Sequence, residues 1–264
     1  MSGVALDANG NVYLDGFAGY AFPGIPPGDP NDGDSYLVKY APHGDRLWVR
    51  QAQTSYTDSA AAIAIDAHGN PYVVDERFTQ NNDTYTVVKK FNPNGALLWR
   101  REFRGWFTLP TSAAVDPRGG ILACGWATNR SQNTDAYLVH YSATGAYLGA
   151  ARLRTAARDN CGAVGSDRRG RVVIAGGTFT RFPGAPEPYA GGESDAFVAV
   201  VDSHMHPVAV HELGSPGFEQ AYGLATDAAG RVAVMGFSDG ILPGAPSTTP
   251  TGDFGYFLTV YPAL

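Results

Sequence analysis

GVALDANGNVYL (residues 3–14), AIAIDAHGNPYVV (62–74), SAAVDPRGGILA (112–123), AVGSDRRGRVVI (163–174) and GLATDAAGRVAV (223–234) are five copies of one pattern. A run of small and apolar residues ends in Asp, turns through x-x-Gly, and re-enters an apolar run. The anchors are Asp7, Asp66, Asp116, Asp167 and Asp227, with gaps of 59, 50, 51 and 60. In such a turn Asp bonds to its own following backbone and Gly supplies the positive φ. Short strands repeating at this period indicate a propeller or solenoid, and residues shared by every copy read as scaffold.

Each copy carries four strand-like runs. In the first these are residues 3–6, 12–17, 35–40 and 47–51, here strands a to d; in the second they are 62–65, 72–74, 84–91 and 97–103. The c–d turns are as short as the a–b turns: Ala41-Pro-His-Gly44, Asn92-Pro-Asn-Gly95 and Ser142-Ala-Thr-Gly145. Meanders of this kind are propeller blades. The expected fold is therefore all-β, one β-propeller domain of five blades with four antiparallel strands each, bounded near 1–57, 58–106, 107–159, 160–219 and 220–264. The fifth copy reaches Leu264 without a strand d, so its blade is three-stranded. The ring then closes by blade packing alone or is incomplete, part of a larger propeller. A monomer is expected, or a weak dimer through the free strand edge that Pro262 blunts. Ala5, Ala64, Ala114, Gly165 and Ala225 stand two residues before their anchors, where innermost strands crowd an axis. Trp48 and Trp99 hold matching places in strand d and read as wedges between blades.

Composition fits this reading. The 264 residues are 44% apolar and only 17% charged, with 33 Gly and 18 Pro for turns. A net charge of −6 without a Lys/Arg run leaves no electrostatic footprint for nucleic acid. No apolar run is long enough to span a membrane, and MSGVALD at the start lacks a basic and apolar leader. Cys124 and Cys161 fall in strand-like segments of different copies and read as buried free thiols. The sequons at Asn82 and Asn129 would matter only in a eukaryotic secretory setting.

Phe182-Pro-Gly-Ala185 followed by Gly192-Glu-Ser-Asp195-Ala-Phe-Val-Ala-Val resembles the bacterial SBBP-type β-propeller repeat. Phe22-Pro-Gly24 and Leu242-Pro-Gly-Ala245 echo it, each starting 15 residues after its anchor. Strand c repeats the likeness as Asp34-Ser-Tyr-Leu-Val-Lys, Asp83-Thr-Tyr-Thr-Val-Val-Lys and Asp135-Ala-Tyr-Leu-Val. The resemblance covers essentially the whole chain. It implies a propeller, commonly in exported or surface bacterial proteins, and implies no catalytic residues or cofactor. Copies 2 and 3 lack the Phe-Pro-Gly loop, copy 4 turns through Asp202-Ser-His-Met205, and Gly255 stands where strand c of copy 5 would begin with Asp.

Function is sought where the copies differ. The b–c loops at 18–33, 180–194 and 239–254 are long. In a closed ring they would form a wall over blades 4, 5 and 1, with a low side over blades 2 and 3. Variable loops on a rigid scaffold are the usual place for binding. On the low side Trp106 and Phe107 fall in the d–a loop, and Phe78 and Trp126 leave strand b toward the same face. Such aromatics suit stacking on a glycan or peptide, or cap the core under a loop. Asp75 and Glu76 complete the ligand-binding candidates: four other copies have Gly at the place of Asp75, namely Gly16, Gly125, Gly176 and Gly236. This acidic pair reads as a solvated blade edge, with acid–base or cation work as the alternative. Asp15 replaces Val74, Cys124, Ala175 and Met235 and reads as a hydrogen-bonded structural acid, or as a buried one with a shifted pKa.

Asp58, Asp159 and Glu219 each precede an anchor by eight residues, with Thr108 in the remaining place. They are expected to ring the channel mouth and accept backbone N–H bonds, which would lower their pKa. Some propeller glycosidases use three carboxylates at a comparable place, a fold-level analogy. Asp29-Pro-Asn-Asp-Gly-Asp34 fails calcium-loop spacing, and His204, His206 and His211 lack a catalytic set, so no metal is assigned. The leading expectation is a non-enzymatic module binding a protein or glycan. A propeller glycoside hydrolase and a structural module of a larger bacterial surface protein are the alternatives.

Overall fold

The structure is a computed structural model that describes residues 2–25, 33–52, 54–79, 83–104, 107–128, 133–244 and 255–262. Trp106, residues 26–32 of the first long loop and residues 245–254 of the last lie outside the described residues. The described residues form strands and turns with no helix. The first sheet is β1 (Gly3–Leu6), β2 (Val12–Ala18), β3 (Asp34–Tyr40) and β4 (Arg46–Gln51). The second is β5 (Thr57–Ile65), β6 (Pro71–Phe78), β7 (Thr84–Phe91) and β8 (Leu97–Phe103). The third is β9 (Phe107–Val115), β10 (Ile121–Thr128), β11 (Thr134–Tyr141) and β12 (Tyr147–Leu153). The fourth is β13 (Asp159–Ser166), β14 (Val172–Thr178), β15 (Asp195–Val201) and β16 (Pro207–Leu213). The fifth is β17 (Glu219–Thr226), β18 (Val232–Ser238) and β19 (Gly255–Tyr261). All five are antiparallel meanders in chain order, the last with three strands.

The turns follow from the anchors. The Asp66 carboxylate accepts the His68 and Asn70 N–H groups, both at 2.9 Å, while Gly69 takes a φ of +78°. Asp7, Asp116, Asp167 and Asp227 repeat these bonds. These hydrogen bonds help hold Asp7, Asp66, Asp167 and Asp227 below the usual carboxylate range against the opposing effect of burial. In the fourth c–d turn the Gly place is taken by Met205 at φ 65°, whose buried side chain packs in the core.

The first strand of each of sheets 2 to 5 lies across the preceding sheet: β5 on β1, β2 and β3, β9 on β5, β6 and β7, β13 on β9, β10 and β11, and β17 on β13, β14 and β15. Alternating side chains serve the two sides. Ile63, Ile65 and Val73 pack backward on Tyr13 and Leu37, whereas Ala62, Tyr72 and Val74 pack forward on Ile121 and Ala123. The tryptophans are inter-sheet wedges. Trp48 meets Tyr13 edge-on and donates to the Pro93 carbonyl at 3.1 Å, and Trp99 meets Tyr72 and donates to Ala143 at 3.0 Å. Among the described residues no comparable packing joins the fifth sheet to the first. The loop wall expected over copies 4, 5 and 1 would be built in part from residues 26–32 and 245–254, which lie outside the described residues.

The long loops of sheets 1 and 4 are pinned by strand d. The Phe22 N–H donates to Gln51 at 3.1 Å, the Phe182 N–H donates to Glu212, and Phe182 packs against Phe197. In the third sheet, which lacks the loop, Arg152 instead pairs with Asp135 at 2.5 Å.

Two sequence expectations change here. Cys124 and Cys161 are a disulfide joining β10 to β13, with Cα atoms 5.9 Å apart, and not free thiols. The eighth residue after each anchor faces the following sheet, which brings Cys124 to the strand a of the next copy. The first strands of sheets 2 to 5 also begin well before the apolar runs, so Asp58, Phe107, Asp159 and Glu219 lie in strands, not loops.

Candidate functional site

Strand a carries an irregularity at one place in sheets 2 to 5. The register slips past Ala61, Thr111, Gly162 and Tyr222. An extra residue in one strand bends it and re-aims a side chain. In sheets 3 to 5 a strand a carbonyl next to the slip also crowds the glycine of strand b. A Cβ on Gly125 would lie 1.9 Å from the Leu109 carbonyl oxygen, and one on Gly176 would lie 1.8 Å from that of Asn160.

Three of the slipped residues, Thr111, Gly162 and Tyr222, line one cleft of about 470 Å³ across the ends of sheets 3, 4 and 5. Trp126, Thr134, Arg158, Asn160, Cys161, Phe179 and Gln220 complete it. Its floor is rigid. The Thr111 hydroxyl donates to the Cys161 carbonyl at 2.6 Å, and Cys161 is tied to Cys124. Asn160 and Gln220 exchange amide bonds at 3.1 and 2.5 Å, joining sheet 4 to sheet 5. Tyr222 is exposed and stacks on Phe237, which stacks on Phe218, which meets Phe179 edge-on. The cleft thus offers aromatic faces beside amide, hydroxyl and guanidinium groups. No Asp or Glu is among its described lining residues.

Of the ligand-binding candidates from sequence, Trp126 alone among the described ones lines this cleft. Phe78 and Phe107 are part-exposed in β6 and β9, outside it. Asp75 is not at a solvated edge. It is fully buried between sheets 1 and 2, ion-paired with Lys89 and accepting the Ser35 hydroxyl at 3.0 Å. Burial pushes its pKa up while Lys89 opposes the shift. Glu76 is half-buried with Oε1 unpartnered, and burial raises it to about 7. Asp15 is fully buried; neither carboxylate oxygen makes a hydrogen bond of full geometry, and the nearby Gly3 and Asp15 backbone N–H groups favour its charged form only weakly. Burial and the nearby Asp75 charge raise it to about 6.

Asp58, Asp159 and Glu219 are each fully buried and bonded locally. Asp58 takes a two-pronged bond from Arg77 at 2.6 and 2.9 Å and the Thr54 hydroxyl at 2.6 Å. Asp159 accepts the Thr155 N–H at 2.5 Å and its hydroxyl at 3.1 Å, and Glu219 accepts the Ser215 N–H at 2.8 Å and the Ser215 and Ser238 hydroxyls, both at 2.6 Å. Backbone donors thus serve two of the three, and Asp58 uses side chains instead. Contrary to the expected lowering, burial raises Asp159 to about 6. The sequence reading missed Arg158, Asn160, Phe179, Gln220 and Tyr222. The signal available was positional: Asn160 and Gln220 each follow the acidic residue that opens strand a.

A scan of protein-family models and a search of curated proteins both return no match. Solved structures do resemble the chain. A Dyadobacter fermentans protein of unknown function is 16% identical with a TM-score of 0.52, covering 89% of this chain and 73% of that one. A Bacteroides caccae protein of unknown function is 11% identical with a TM-score of 0.38, covering 83% of this chain and 81% of that one. A subtype N10 neuraminidase-like protein of A/little yellow-shouldered bat/Guatemala is 9% identical with a TM-score of 0.49, covering 94% of this chain and 76% of that one. The Dyadobacter likeness is one of fold.

Proposed function

We propose that the five sheets are blades of a β-propeller of the SBBP type, and that the chain is a binding module whose cleft takes a glycan. The supporting observation is the cleft itself. Its volume of about 470 Å³ lies within the usual range for ligand pockets. Trp126, Phe179 and Tyr222 supply flat apolar faces of the kind that pack on sugar rings, and Arg158, Asn160 and Gln220 supply directional polar groups. The hydrolase alternative has no such support, because its three carboxylates are tied up in their own sheets and the described cleft lining is free of acids. A glycan array followed by calorimetric titration of the best binder tests the proposal. Trp126→Ala and Tyr222→Ala should each weaken binding roughly tenfold, about 1.4 kcal/mol. A protein that binds no glycan, or binds one equally well in both variants, would refute it.

A further inference from the structure

The internal interfaces show what each face of a sheet is built to meet. Residues one and three before the anchor face the preceding sheet: Ile63 and Ile65 pack on sheet 1, Ala113 and Val115 on sheet 2, Val164 on sheet 3 and Leu224 on sheet 4. Their counterparts in sheet 1 are Val4 and Leu6, and Leu6 is 62% exposed. On the other side, Ala175, Ala196, Val198 and Val200 of sheet 4 are buried against sheet 5. Their counterparts in sheet 5 are Met235, Tyr256, Leu258 and Val260, all exposed, with Leu258 at 73%. The register is shared, since Leu258 pairs with Met235 as Val198 pairs with Ala175. The two ends are therefore the two halves of one interface that the chain makes four times internally. Within one chain the described residues do not bring them together.

We propose that the forward face of sheet 5 docks on the backward face of sheet 1 of a second copy, head to tail. A second copy is the fitting occupant because sheet 1 carries, with its receiving face uncovered, the same face that sheets 2 to 5 use toward their predecessors. Such a contact is heterologous, so it builds a ring if the rotation closes and a filament if it does not. It differs from pairing through the free edge of β19, which would join two identical edges.

The test is light scattering on the full chain with Leu6→Arg and Leu258→Arg, each checked for retained strand content by circular dichroism. Wild type should be oligomeric in a concentration-dependent way, and each variant alone should lose the higher species. Mixed one to one, the variants should form a dimer, because the intact sheet 5 of Leu6→Arg meets the intact sheet 1 of Leu258→Arg. If either variant misfolds, Val4→Lys and Tyr256→Lys take its place. A monomeric wild type, or an oligomer that neither substitution disturbs, or a mixture that stays monomeric, would overturn the proposal.

Discussion

The junction between sheets 1 and 2 and the junction between sheets 3 and 4 fill one register with opposite chemistry. Eight residues after the anchor, strand b points at the following sheet. In sheet 3 that residue is Cys124, bonded covalently to Cys161 of the next strand a. In sheet 1 it is Asp15, fully buried and near Asp75 of the next strand b, with Lys89 and Ser35 as the balancing groups. Val74 and Ala175 close the same place in the other two junctions with plain apolar packing. The slot is thus a volume set by the meander, and the fold accepts any chemistry that fills it. What differs is the energy. The disulfide limits the unfolded chain, whereas the acid pair places one excess negative charge where water cannot reach it.

The largest expected effect lies at the covalent junction. The loop closed by the disulfide spans 37 residues, for which chain entropy gives about 4 kcal/mol. Cys124→Ala with Cys161→Ala should lose most of that in urea unfolding, as should wild type with reductant. Indifference to both would mean that the junction is held by packing, as the Val74 junction is. Next is Lys89→Met, which strands Asp75 beside Asp15. Breaking a buried ion pair is strongly destabilising, and about 3 kcal/mol is expected here because Asp75 can take up a proton instead. The loss should shrink as the pH falls. A loss that is flat with pH would show that the Asp75 charge is not what Lys89 balances.

The turns were legible because their chemistry is local. Asp and Gly three residues apart specify both the hydrogen bonds and the positive φ, and the same bonds recur at all five anchors. Sheet number and strand order followed from that repetition. The early half of strand a was not legible, because Thr57-Asp58-Ser59-Ala60 shows no apolar alternation and pairs only because β6 offers it a partner. The cleft was hidden for a related reason. A slip of one residue at Thr111 and Tyr222 reverses the facing that a strict period of two assigns. The disulfide was hidden by separation, since pairing across copies shows only once the facing of each strand b residue is known. Asp75 looked solvated because the charged Glu76 and Arg77 follow it, yet what buries it is sheet 1, far away along the chain.

The smallest expected effect has the opposite sign, and it isolates the cost of the acidic junction. Asp15→Val gives sheet 1 the residue type that sheet 2 uses at Val74. It removes two buried oxygens that make no hydrogen bond of full geometry. The folded Asp15 carboxyl titrates at about 6 against 3.8 for the free group, so the folded chain holds its proton more tightly than the unfolded one. The fold therefore loses stability as the pH rises from the lower value through the upper, and the full loss is present at neutral pH. A displacement of that size corresponds to about 3 kcal/mol, of which the relaxation of neighbouring charges returns part. Asp15→Val should stabilise the protein by about 2 kcal/mol near neutral pH and by much less near pH 4, where the wild-type acid is already neutral. Urea unfolding of both proteins at the two pH values measures this directly. An advantage of equal size at both would assign it to packing and remove the charge from the account of this junction.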